Sequence, residues 1–205
     1  MEELLRRQWE SLLAWLDQIE VAKYSDMSTG LGDWTVGDLV AHLGLSLSLA
    51  ADVGEASADV DVLSIGQYVA AYPPAADEIA AMTQQTRAAL GPDTVRGLRE
   101  IGERVWQAVA RYDQARVLAR RGAMGTSDYL ATRLIELVVH GDDLWRVLGL
   151  GATPVIPEAL RTVSTVLADA YRERTGVVLN PADDLAWVRA ACGRQASDDP
   201  ALPLL

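Results

Sequence analysis

The chain has two histidines, His42 and His140, and Glu136 stands four residues before the second. Residues four apart on a helix share a face. Glu136 and His140, in the run Arg133-Leu134-Ile135-Glu136-Leu137-Val138-Val139-His140, can therefore point at one spot. A carboxylate oxygen and an imidazole nitrogen meeting there can chelate a divalent metal. His42, closing the run Trp34-Thr35-Val36-Gly37-Asp38-Leu39-Val40-Ala41-His42, would add a third ligand from another helix. Three protein ligands leave one coordination position open, as in catalytic metal sites. A plainer reading stands beside this one. A histidine on an apolar helix is often a hydrogen-bonded core residue, and Glu-x-x-x-His pairs arise by chance. Asp38 and Asp143 each lie one turn from a histidine and can orient its ring from behind. For Asp38, helix capping is the competing role.

The elements that must position these residues read as helices. Leu5, Trp9, Leu12, Leu16 and Ile19 recur at three- and four-residue spacing and predict a first amphipathic helix over residues 2 to 22. A loop rich in Ser and Gly follows over residues 23 to 33. Thr35, with Asp38 three residues on, forms a capping-box pattern for a second helix with the stripe Val36, Leu39, Val40, Leu43 and Leu47. Residues 52 to 63 are acidic and small and read as a loop. Helical patterns resume at Ser64, with breaks at Pro73-Pro74 and Gly91-Pro92. Arg116 to Gly125 reads as a further loop with a basic spot at Arg120-Arg121. The strongest pattern covers residues 127 to 148 and stops at Gly149 and Gly151. Glu136 is embedded in it among apolar residues and needs a partner, either a metal or an arginine such as Arg133. Two shorter helices are predicted from Pro157 to Thr175 and from Pro181 to Cys192, then an extended tail from Asp198. The expected fold is all-α: a bundle over residues 1 to 150 with a helical extension over 151 to 205.

Composition narrows the function classes. Half of the 205 residues are hydrophobic, as in a globular chain, and the net charge is -11. That charge argues against nucleic-acid binding and against anionic membrane surfaces. No apolar run reaches the roughly 18 residues of a membrane span, and the first residues lack a signal-peptide core. One cysteine excludes an internal disulfide and fits a reducing, cytoplasmic setting. That residue, Cys192, follows two alanines and reads as a small core residue rather than a nucleophile. No phosphate loop, nucleophile-elbow serine or paired-cysteine motif is present. Any nucleophile is then expected from outside the chain.

The run Trp34 to Leu43 resembles the first signature of the mycothiol-dependent maleylpyruvate isomerase family. The run Thr132-Arg133-Leu134-Ile135-Glu136-Leu137-Val138-Val139-His140-Gly141-Asp142-Asp143-Leu144 resembles its second. The resemblance covers about residues 1 to 150. It implies a DinB/YfiT-like four-helix bundle, metal ligands at His42, Glu136 and His140, a divalent metal that is usually zinc, and mycothiol or a similar thiol as cosubstrate. It further implies isomerisation of, or thiol transfer to, a small electrophile. A metal-dependent hydrolase and a metal-stapled bundle without catalysis are the alternatives. The partners expected are a small-molecule substrate and a thiol, and a homodimer is compatible with the sequence. Longer relatives carry a C-terminal domain that contributes a catalytic arginine. Here Arg172, Arg174, Arg189 and Arg194 are all available for that role, and no motif selects among them.

Overall fold

Leu5, Trp9, Leu12 and Leu16, predicted as one stripe, are all buried along a first helix, α1 (Glu2–Gln18). The computed structural model describes residues 1–57, 59–72, 75–112 and 115–205 of the chain. The expected break at Pro73-Pro74 lies outside them. α1 ends four residues earlier than its periodicity predicts. Glu20 takes a left-handed conformation (φ 52°), and a short 3₁₀ turn at Val21–Tyr24 sends Val21 back into the core.

Six further helices with the predicted patterns follow, and one more, very short helix joins them. α2 (Val36–Ser48) starts on the anticipated capping box: the Asp38 amide donates to Thr35 Oγ1 at 3.2 Å, and the Thr35 amide donates to Asp38 Oδ2 at 2.9 Å. α3 (Ile65–Val69) is the short one. α4 (Ala76–Leu90) and α5 (Thr94–Val109) are separated by Gly91, whose φ of 64° suits glycine. α6 (Thr126–Leu148) ends on Gly149 in the left-handed conformation, as its sequence predicts. α7 (Pro157–Thr175) has the predicted bounds. α8 (Asp184–Ala191) starts three residues after Pro181, because the Asp183 side chain caps it through the amides of Leu185 and Ala186.

α1 packs on α6 and α5, and α2 packs on the same two helices, which closes a four-helix bundle. α4 packs along α2 and also touches α5. α7 packs on α6 and α1, so its residues Val163 and Leu167 join the bundle's apolar core. Gln8 on α1 ties the segment before α7 down: its amide donates to the Pro154 carbonyl at 3.1 Å and accepts from the Ile156 amide at 3.0 Å.

The predicted loop at 116 to 125 is a β-hairpin, and the one at 52 to 63 adds a two-residue strand to it. β1 (Gly54–Glu55), β2 (Arg116–Ala119) and β3 (Gly122–Gly125) form an antiparallel sheet in the order β1-β2-β3. Its pairing buries Val117, Ala119 and Met124 against Tyr68 and Tyr129 in a second small core. Arg120 and Arg121 make the tight turn between β2 and β3. The tail, expected to be extended, packs back on α7 and α8. Arg174 donates to the carbonyls of Ala201, Pro203 and Leu204, the Leu204 amide donates to the Ala191 carbonyl, and Leu204 is buried. No described helix is long and apolar enough to cross a membrane.

Candidate metal centre

The capping box fixes where α2 begins, and with it the face on which His42 lies two turns later. α6 runs beside α2 and presents Glu136 and His140 from successive turns of one face. The three side chains converge. Glu136 Oε2 is 3.2 Å from His42 Nε2 and 3.4 Å from His140 Nε2, and all three ligand atoms lie within 4.8 Å of one another. The two imidazole rings meet edge to face at 4.8 Å, and the Trp34 ring covers His42 at 4.9 Å. Among the described residues no arginine pairs directly with Glu136, and Arg133 acts on it only at longer range. Arg133 donates to Thr132, Tyr72 and the Ser46 carbonyl.

The far side of each ring is also held. His140 Nδ1 is 3.0 Å from Asp143 Oδ2, and His42 Nδ1 is 3.4 Å from Thr83 Oγ1 on α4. Both Nε2 atoms therefore face the cluster. Asp143 in turn accepts from the Arg194 guanidinium at 3.1 Å, which links the chain beyond α8 to the site. Asp142, next to it, makes a separate bidentate pair with Arg189, with both contacts at 2.7 Å. Asp38 does not reach His42. Its carboxylate is committed to Thr35, Gln84 and Arg87, because the cap turns it toward the start of α2 and α4 lies there. Sequence reasoning missed Thr83, Tyr72, Ser46 and the choice of Arg194. Only Ser46, whose Oγ is 3.3 Å from His42 Nε2, carried a local signal, being four residues after His42.

The electrostatics follow from these contacts. Burial opposes the charge of Glu136, yet the hydrogen bonds to His140 and His42 prevail and hold its pKa well below the usual carboxylate range. Burial lowers the pKa of His42, keeping it neutral. Burial acts the same way on His140, but Asp143 and Glu136 outweigh it and raise that pKa. Asp143 resists its own burial through His140 and Arg194 and is lowered.

The donor set fits a divalent metal. Ligand bonds of about 2.0–2.1 Å in a tetrahedron put neighbouring ligand atoms roughly 3.3 Å apart, close to the 3.2 Å and 3.4 Å from Glu136 to each histidine, within a cluster that spans up to 4.8 Å and would tighten around an ion. A charged carboxylate and a neutral imidazole are the protonation states that ligation needs. The cluster opens onto a cavity of about 450 Å3 walled by Trp34, Tyr72, Ile79, Val139, Arg194 and Leu205 among others. Of the four arginines singled out in the extension, Arg194 is the one that lines this cavity. Arg189 and Arg172 pair with Asp142 and Asp169, and Arg174 holds the tail.

The all-α bundle is of the DinB-like class. The chain belongs to the family of the mycothiol maleylpyruvate isomerase N-terminal domain, whose model matches residues 5–145 and so includes all three converging side chains. Comparisons with curated proteins and with solved structures gave no match.

Proposed function

We propose that the chain is a metal-dependent enzyme that uses a low-molecular-weight thiol, mycothiol or a close equivalent, for isomerisation of, or transfer to, a small electrophile. The observation that carries this reading is that the His42–Glu136–His140 cluster faces an open cavity, with no fourth protein ligand among the described residues. Structural sites are closed; catalytic ones keep a position free. The family's name supplies the thiol. A divalent metal, with zinc the expected ion, would be held by His42, Glu136 and His140 and would supply the positive charge that deprotonates a thiol otherwise titrating near about 8.5.

The chain's own residues do the rest. Asp143 fixes the His140 ring through Nδ1 and Thr83 contacts that of His42, so both Nε2 atoms stay aimed at the cavity. Trp34, Ile79 and Val139 give the cavity an apolar wall that excludes water around a reacting sulfur. Arg194 brings a positive charge to the rim, where an anionic group can be held. Cys192 does not serve as the nucleophile, because it is buried and its pKa is pushed up to about 12.

Two measurements test this together. Purified protein is expected to hold one metal ion per chain, falling to near none in His42→Ala and Glu136→Gln. Calorimetric titration with mycothiol is expected to give binding to the zinc-loaded protein and little to the metal-free form. Full metal content in both variants would end the metal reading. No thiol binding, with ester hydrolysis by the zinc form alone, would make the chain a hydrolase.

A further inference from the structure

Beside the cluster stand two arginines with no carboxylate partner among the described residues. Arg133 lies one turn before Glu136 on α6 and is 2% exposed. Its Nε donates to Thr132 Oγ1 at 3.1 Å, one terminal nitrogen to the Tyr72 hydroxyl at 2.9 Å, and the other to the Ser46 carbonyl at a long 3.4 Å. All three acceptors are neutral. The nearest carboxylate, Glu136, is engaged by the two histidines. Glu136 answers the Arg133 charge only at longer range, and the Tyr129 ring lies under the guanidinium at 5.3 Å, so no anion is hydrogen-bonded to this buried cation and a bound one would be stabilised there. Arg121, in the β2–β3 turn, lays its guanidinium over the rings of Tyr72 and Tyr68, at 4.9 Å and 5.4 Å. Tyr72 therefore has one guanidinium on its face and the other at its hydroxyl.

These groups wall a recess. Arg121, Arg133 and Tyr72 line a space of about 40 Å3 together with His42, Glu136 and Ile79. His42, Glu136, Tyr72 and Ile79 also line the larger cavity, so the two spaces adjoin at the cluster. The recess is much the smaller of the two spaces, so it suits one carboxylate group rather than a whole substrate. Glu78 and Arg120 also line the recess, and the Glu78 carboxylate is taken up by its pair with Arg120, which leaves Arg121 and Arg133 to meet an incoming anion.

We propose that this recess is a carboxylate subsite, in which Arg121 and Arg133 hold a carboxylate of the small molecule whose reacting end lies at the His–Glu–His cluster. The proposal rests on reading the larger cavity as the reaction site. Guanidinium and carboxylate match in geometry and charge, and such charge-assisted bonds are about twice as strong as neutral ones. The subsite also sets the direction of entry. The carboxylate end lies on the hairpin side, and the larger, apolar-walled space is left for the thiol.

The test uses the metal-free, full-length protein, with succinate as the probe and its neutral diamide, succinamide, as the control. Calorimetric titration is expected to give binding of succinate and none of succinamide. Arg121→Gln is expected to weaken succinate binding about tenfold or more. Arg172→Gln, in an exposed pair with Asp169, is expected to leave it unchanged. Arg133→Gln should weaken it further, with thermal unfolding measured alongside because the residue is buried. Failure of the wild-type protein to bind succinate, equal binding of succinamide, or unchanged affinity in Arg121→Gln overturns the subsite. Metal content is measured separately on the wild-type protein and on Arg121→Gln. A wild-type chain that takes up no metal would defeat the proposed function, while the succinate result would still judge the subsite.

Discussion

Glu136 carries a charge where burial alone would remove it, and the two imidazoles that prevent this are the chain's only histidines. Its position in a helix lined with leucine and valine is therefore explained by its partners rather than by its surroundings. The partners behind the histidines differ in strength, and distance decides which matters. Asp143 lies 3.0 Å from His140 Nδ1 and is itself anchored by Arg194, whereas Thr83 is a long 3.4 Å from His42 Nδ1. Asp143→Asn is expected to lower metal affinity roughly 10–100-fold, and Thr83→Val only a few-fold. Competition against a chelator of known affinity measures both. Equal losses in the two variants would mean that the carboxylate has no special part in orienting the ring.

At the scale of elements, α2 is the piece that sets the register of the site, and Asp38 holds its start. Burial pushes against the charge of Asp38, but hydrogen bonds from Thr35, Arg87 and Gln84 win and bring its pKa to about 2. An unfolded aspartate titrates near about 3.9. The folded value is the lower one, so the stabilisation is complete above about pH 4–5 and is lost as pH falls toward 2. It amounts to about 2 kcal/mol. Urea unfolding of the wild-type protein and Asp38→Asn should differ at pH 7 and converge as pH falls to about 2; a gap that persists there would assign the effect to something other than this charge. The same elements show what the sequence makes legible. α2, α6 and α7 could be read because their caps, glycine stops and 3.6-residue stripes are local. The triad could be read because Glu136 and His140 are a helical pair and His42 follows a capping box. The hairpin was invisible: β2 offers only four residues, too few for an alternating pattern, and is held by burying Val117 and Ala119 against distant Tyr68 and Tyr129. The end of α1 has no glycine to announce it. Thr83, Tyr72 and Arg194 reach the site only through tertiary packing, and nothing near them in sequence marks them.

For the whole molecule, the C-terminal helices are part of how the site is built. α7 shares the bundle's core, and Arg189 and Arg194 at the end of α8 clasp Asp142 and Asp143 on α6. The segment beyond the family match thus reaches back to the residue that orients His140. The contact between His42 and Glu136 has a separate consequence, because it joins positions 94 residues apart. Nothing local can assemble it; it exists only after α2 and α6 have docked. An ion gripping both ends acts as a reversible crosslink across a long loop, and such contacts form late because loop closure must come first. Interactions absent from the folding transition state slow unfolding and leave the folding rate nearly unchanged. Stopped-flow chevrons with zinc and with chelator should then share their refolding limbs and separate on their unfolding limbs. In that case the metal would act as a kinetic lock, setting how long the folded chain persists rather than how quickly it forms.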